Sequence, residues 1–382
     1  MRRRALILSV TGSPSLPVFG VRQRGRMFMV RNQLRIFTLD LNYASVGPDG
    51  ATVAPSAATD WKTVDPFAFC DWQVAHGANV VGCQPWTFSG FATFPSELGP
   101  RATGTGGTLF PAVYDRARDR GVPILAYFNV AVDLAVCSSR PHWLVPGSQG
   151  VEILGDTFWH GFLDPQSRWA DLLADRILEF LSQFKPDWVL FDWFCYGSLM
   201  NDLSLPSTPQ VRADFGAIIG KAFPEDPGQV SSADAIKYKR EVLARWFARI
   251  RDAVRATSPV TKIVFNVPYF GPAEPIWVDH VMLRESDALF AESSNPDIVE
   301  WLLSVRRPGQ RVMTTIFGRP DDHVGGQTIR WSDASTWRHW SERDCDLVAW
   351  TFPVPPSATP HPRDRDAIKL VGDAYRQLAR ES

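Results

Sequence analysis

The sequence predicts an α/β fold, a single-domain (β/α)8 barrel, on three observations. Eight short apolar segments recur along the chain, each followed by a stretch with apolar residues at helical spacing. The segments are continuously apolar and not alternating, as in parallel strands buried on both faces. The first is followed by Asp40-Leu-Asn-Tyr43, with none of the glycines of the phosphate turn that opens a doubly wound sheet. Eight such units over about 350 residues suit a closed barrel better than an open sheet.

The elements follow in order. The first strand is expected at 34–40 and a helix at 64–76, closed by Gly77. A strand at 79–84 leads to a helix at 109–120, with Gly121 as its stop. The third strand is 123–129. Leu172, Leu173, Ile177, Phe180 and Leu181 give the helix at 169–184 one apolar face. The fourth strand is 187–192. A long helix at 233–256 follows, with Ser231 and Ser232 as available caps. Strands at 262–266, 287–292, 311–317 and 346–350 alternate with helices at 277–284, 297–305, 335–343 and 365–380. The stretches 86–108, 130–160 and 196–232 read as long loops, which usually serve a site.

Composition narrows the function. Lys+Arg total 40 and Asp+Glu 41, a balance that gives no electrostatic case for a nucleic-acid partner. No run of apolar residues is long enough to span a membrane. Cys70, Cys83, Cys137, Cys195 and Cys345 are odd in number and without C-x-x-C spacing, so they read as buried thiols. Met1-Arg-Arg-Arg4 and the apolar Ala5–Val10 imitate a signal peptide. That six-residue stretch, which includes Ser9, falls short of the usual roughly 7–15, so a cytoplasmic location is expected, with secretion left open. Met27 and Met29 lie just before the first strand. Residues 1–30 therefore read as an extension or a mis-assigned start, and 31–382 as the barrel. Oligomeric state stays open, a homo-oligomer included.

A barrel of this kind keeps its site at the C-terminal ends of its strands. Those ends present Asp40, Gln84 with Trp86, Asn129, Asp192 with Trp193, Asn266 with Tyr269, Glu292, Thr315 or Arg319, and Trp350. His142 and His160 fall in the loop region, and His160 is read with the substrate contacts. Carboxylates and amides suit sugar hydroxyls, and aromatic faces suit the C–H surface of a sugar ring. Of the 15 Trp, Trp246, Trp301, Trp337 and Trp340 fall within helices and read as packing, whereas Trp86, Trp193 and Trp350 end strands.

Asp192 and Glu292 close the fourth and sixth strands and could flank one bond, as glycoside hydrolysis requires. Glu274, after the fifth strand, is a rival acid. Glu285 falls before the sixth strand and so on the opposite face. No cofactor or metal is expected, since the seven His are scattered with no H-E-x-x-H helix; the lack of a strand-end lysine argues against Schiff-base chemistry and the lack of a G-x-S-x-G elbow against a serine hydrolase. Gly104-Thr-Gly-Gly107 follows no strand and reads as a loop.

The order Arg140-Pro-His-Trp-Leu-Val145, Gly161-Phe-Leu-Asp-Pro-Gln-Ser-Arg-Trp169 and Lys185-Pro-Asp-Trp-Val-Leu-Phe-Asp-Trp-Phe194 resembles glycosyl hydrolase barrels related to amylase-type and α-L-fucosidase-type enzymes. Tyr238-Lys-Arg240 is similar to their arginine-bearing helix before the fifth strand. The resemblance spans about residues 34–352 and is specific only over 140–194. It implies a retaining glycosidase acting on an oligosaccharide or polysaccharide, with Asp192 in the nucleophile's place and Glu292 near that of the acid/base. Asp187-Trp188 departs from the usual Asp-Gly, a change at the strand's start. A non-catalytic carbohydrate-binding barrel and a lyase or isomerase using the same carboxylates are the alternatives. A wide gap between the carboxyls would favour the first, and a metal between Asp40, Asp192 and Glu292 the second.

Overall fold

The structure, a computed structural model, describes residues 33–39, 43–46, 53–55, 61–148, 151–153, 156–159, 161–197, 203–267, 278, 280–292, 296–315, 322–324, 327–329, 334–351 and 362–381. Residues 1–30, read above as an extension, lie outside them.

Eight parallel strands close into a barrel: β1 (Arg35–Leu39), β2 (Val80–Cys83), β3 (Ile124–Asn129), β4 (Trp188–Asp192), β5 (Lys262–Val267), β6 (Ala288–Ala291), β7 (Arg311–Thr315) and β8 (Cys345–Thr351). Each pairs with its neighbours in sequence, and β1 closes the ring on β8. The helices between them are α1 (Pro66–Ala75), α2 (Leu109–Asp119), α3 (Trp169–Gln183), α4 (Ser232–Thr257), α5 (His280–Glu285), α6 (Pro296–Val305) and α7 (Ala334–Glu342), and α8 (Pro362–Glu381) follows the last strand. This is the predicted architecture, with every predicted boundary moved by only a few residues. The punctuation works as expected. Gly77 and Gly121 take left-handed φ values of +87° and +64° after α1 and α2, and Ser231 caps α4 by accepting the Asp234 N–H.

Two cores follow from strand parity. Ile36, Val80, Leu125, Tyr127, Trp188, Leu190, Val264, Ala288, Phe290, Met313 and Val348 fill the barrel interior. The alternate residues, such as Phe37, Val81, Phe128, Phe191 and Phe265, pack outward against the helices. Trp188 belongs to the interior at the start of β4, with the Lys262 ammonium 4.8 Å from its ring. The departure from Asp-Gly is thus a packing change at the end of the barrel away from Asp192. Trp246, Trp337 and Trp340 are buried in helices and Trp301 partly so, as expected of packing residues. All five cysteines are buried and unpaired.

Several elements were not foreseen. The stretch 196–232 holds a helix at Pro209–Ile219, capped by the Thr208 hydroxyl on the Val211 N–H and ended by Gly220 at φ +87°. The stretch 130–160 holds a short helix, Leu134–Ser139, and a hairpin of Val151–Ile153 with Asp156–Trp159. Further hairpins pair Tyr43–Val46 with Val53–Pro55 and Asp322–Val324 with Gln327–Ile329.

One buried ion pair ties β3's following loop to α3. Asp133 Oδ2 accepts from Arg176 Nη1 at 2.6 Å with both side chains under 5% exposed. Asp133 Oδ1 caps Leu134–Ser139 through the Val136 N–H. Asp133→Ala strands the guanidinium and removes the cap, so a loss of about 3–5 kcal/mol is expected in denaturant unfolding. Asp133→Leu combined with Arg176→Met should recover much of it, because no unpaired charge then stays buried.

Candidate active site

The barrel interior continues upward on the same parity. Asn129 lies two residues beyond Tyr127, Asp192 two beyond Leu190, Asn266 two beyond Val264, and Glu292 two beyond Phe290. The inward register that builds the core therefore turns these four polar side chains to the C-terminal mouth of the barrel.

Three of them meet directly. Asn266 Nδ2 donates to Asp192 Oδ1 at 2.5 Å and to Glu292 Oε2 at 2.9 Å. One amide thus bridges the two carboxylates. The two bond lengths limit the separation of those oxygens to at most about 5.4 Å. The bridge fixes the amide's orientation, since its oxygen would face two acceptors if turned. Among the described residues, Asn266 Oδ1 is consequently buried without a hydrogen-bond partner.

Asp192 is almost wholly buried, at 3% exposed. Oδ1 also accepts the Trp193 N–H at 2.6 Å, and Oδ2 accepts the Tyr127 hydroxyl at 2.5 Å. Burial pushes the Asp192 carboxyl above the ordinary aspartate range, and the donors from Tyr127, Asn266 and Trp193 offset part of the rise. Trp193 makes this contact at φ +60°, a left-handed conformation that costs a non-glycine residue about 1–3 kcal/mol. The residue is held there by its N–H on Asp192 and by its ring, which packs near Phe88 and Phe162.

Tyr127 is the site residue that sequence reading missed. Its hydroxyl reaches Asn129 Oδ1 at 2.9 Å as well as Asp192. It reads as one more core aromatic inside an apolar strand. The available signal is its parity with Asn129, which puts both side chains inside the barrel. Of Tyr238-Lys-Arg240, Tyr238 and Lys239 are the buried pair. The Lys239 ammonium lies 5.5 Å from the Tyr196 ring, in the segment after β4, and near Cys195.

The other expected contacts are placed as follows. Gln84 is fully buried, and its carbonyl accepts the Thr93 hydroxyl at 2.5 Å. Trp86 does not offer a face to a sugar: it is 5% exposed, with the Arg176 guanidinium 3.9 Å from its ring centre and Phe94 at its edge. The expectation fails because the loop after β2 folds back onto α3 and uses this ring as a platform for a buried arginine. Thr315 is buried in β7, and its hydroxyl donates to the Ala291 carbonyl. Glu285 ends α5, before β6, and pairs with Arg251 and Arg255 on α4, away from the strand ends. His142 is exposed beside Trp143. Trp350 is described only as backbone within β8. Asp40, His160, Tyr269, Glu274 and Arg319 lie outside the described residues.

No protein-family model matches the chain, and no curated protein matches its sequence. Its shape does have solved counterparts. An α-L-fucosidase isoenzyme 2 from Paenibacillus thiaminolyticus superposes with a TM-score of 0.64 at 17% identity, over 91% of this chain and 49% of the other. The PgaB (BpsB) glycoside hydrolase domain from Bordetella bronchiseptica gives 0.56 at 16% identity, over 89% and 98%. An α-L-fucosidase GH29 from Bacteroides thetaiotaomicron, trapped as a covalent intermediate, gives 0.51 at 14%, over 84% and 63%. The chain spans about half the length of the first of these. At such identities the likeness is one of fold. The fucosidase-type side of the resemblance has structural counterparts here, and the amylase-type side finds no support.

Proposed function

We propose that the protein is a retaining glycoside hydrolase with Asp192 as nucleophile and Glu292 as general acid/base. The observation that carries this reading is the Asn266 bridge. Two carboxylates joined through one amide, their facing oxygens at most about 5.4 Å apart, are close enough to suit the roughly 5–5.5 Å spacing of retaining enzymes. The barrel shape shared with fucosidases and a glycoside hydrolase domain supports the substrate class.

The hydrogen bonds favour one attacking atom. Oδ1 of Asp192 already accepts two donors, whereas Oδ2 accepts one among the described residues. In the first step Oδ2 bonds to the anomeric carbon as the glycosidic C–O bond breaks, and the Glu292 proton passes to the leaving oxygen. In the second, water attacks the anomeric carbon, its proton returns to Glu292, and the C–Oδ2 bond breaks. The Asn266 amide holds the two carboxylates at a fixed separation through both steps.

The test is a panel of nitrophenyl glycosides, α-L-fucosides included, with plant and bacterial polysaccharides. Turnover of at least one with retained anomeric configuration is expected; binding without turnover would leave a carbohydrate-binding barrel instead. A pH dependence also follows. Asp192 must be ionised to attack, and burial raises its pKa. The acid limb of kcat/KM should therefore lie above the roughly 3.9 of an unperturbed aspartate, with activity falling as pH drops through that limb.

A further inference from the structure

The Tyr127 hydroxyl has one hydrogen and two acceptors within reach, Asp192 Oδ2 at 2.5 Å and Asn129 Oδ1 at 2.9 Å. It cannot serve both at once. We propose that Tyr127 is a two-position rotor that follows the charge on Asp192, donating to Oδ2 while the carboxylate is anionic and to Asn129 Oδ1 once Oδ2 carries a proton or a sugar. The second half of this assignment rests on the glycosidase reading; the first half does not.

Electrostatics sets the order of the two positions. A hydrogen bond to an ionised acceptor is roughly twice as strong as one between neutral groups, so the anionic Oδ2 wins in the resting state. Forming the bond from Oδ2 to the anomeric carbon turns that oxygen into an ester oxygen, a weak acceptor. The Asn129 amide oxygen is then the better partner. It lies on the same strand, two residues from Tyr127 on the same inward face, so only the hydroxyl hydrogen has to turn. When water attacks and the carboxylate departs, charge returns to Oδ2 and the hydroxyl follows it. The tyrosine thus stabilises the leaving carboxylate in the second step without holding it too firmly for the first.

Among the described residues, the carboxylate is hydrogen-bonded from β3 by the Tyr127 hydroxyl, which also reaches Asn129, from β5 by Asn266, which links it to Glu292 on β6, and from its own following segment by the Trp193 N–H. The Cys195 thiol is near enough to feel the charges of Asp192 and of Lys239 on α4.

The deciding measurement is a carbon-13 titration of the Asp192 carboxyl in the full-length protein labelled at aspartate. The signal is assigned by its absence in Asp192→Asn, and the wild type is compared with Tyr127→Phe and Asn129→Leu. Tyr127→Phe loses the donor to the anion, so its midpoint should rise by about one to two pH units. Asn129→Leu loses the acceptor that serves the neutral form, so its midpoint should fall. Opposite signs are the signature of a rotor, since a merely structural loosening of the site would move both variants the same way. Should Tyr127→Phe fail to fold, Asn129→Leu decides: a lowered midpoint supports the rotor, and an unchanged or raised one overturns it.

A kinetic arm reads the second step. Trapped as its 2-deoxy-2-fluoro glycosyl-enzyme, Tyr127→Phe should turn over more slowly than the wild type, and a faster or equal rate overturns the role in deglycosylation. A wild type that hydrolyses no glycoside would end the glycosidase reading, and the titration would still decide where the hydroxyl sits.

Discussion

Asp192→Asn is expected to abolish turnover of an activated nitrophenyl glycoside, with kcat/KM reduced by roughly 10^4-fold or more, the scale of losing a covalent nucleophile. The fold should survive the change. Asn has the shape of Asp, and its oxygen can stay where Oδ1 accepts the Trp193 N–H and the Asn266 amide. Its nitrogen then replaces Oδ2 and donates to the Tyr127 oxygen, while the Tyr127 hydroxyl turns to Asn129 Oδ1. Stability should hold or rise at any pH where the wild-type carboxylate is ionised. The wild-type carboxyl titrates above its unfolded value because burial disfavours the charge. A raised acid is most favourable to folding below its unfolded pKa, and that contribution is lost as pH rises through the folded pKa. Above its folded pKa the ionised Asp192 therefore costs stability that a neutral amide does not. Thermal melting beside initial rates checks the pair of outcomes. A melting point well below the wild type would make Asp192 a structural residue, and near-normal turnover would remove it from the chemistry.

The fold was legible because its signals are redundant. Eight strands buried on both faces need eight apolar runs, and the glycines and serines that end and start the helices stand beside them. The missed helix, Pro209–Ile219, buries only Val211 and Phe215, so it lacks the broad apolar face that marks a helix. Thr208, Pro209 and Gly220 were its remaining signals. The small hairpins have arms of three or four residues, too short to show a period.

The site was legible to the extent that parity carries it. Asp192, Asn266 and Glu292 end strands whose inward residues are fixed by the core, and the structure brings them into hydrogen-bond contact. Trp86 shows the limit of the same reading. It lies past the end of β2, where strand parity no longer fixes direction, and the loop turns it toward Arg176. Tyr127 shows the converse. A tyrosine in an apolar strand looks like packing, and what gives it chemistry is an oxygen on the neighbouring strand.

Glu292→Ala should produce a loss that depends on the leaving group. An acid catalyst matters most when the departing oxygen is basic, so alkyl glycosides should slow by about 10^2–10^4-fold. A 2,4-dinitrophenyl glycoside leaves without protonation, and its first step should be little affected. Its glycosyl-enzyme should then accumulate, because no base activates water for the second step. Azide needs no deprotonation and fits the space of the lost carboxylate, so it should restore turnover and yield a glycosyl azide. In that variant Asn266 keeps Asp192 as its acceptor, which leaves Asp192 in place. Glu285→Ala is the matching control, since its carboxylate pairs with Arg251 and Arg255 on α4 and should leave every rate unchanged. The anomeric configuration of the azide product decides the stereochemistry independently of any distance. Retention follows from capture of a covalent Asp192 intermediate, and inversion would mean that azide displaced the leaving group directly.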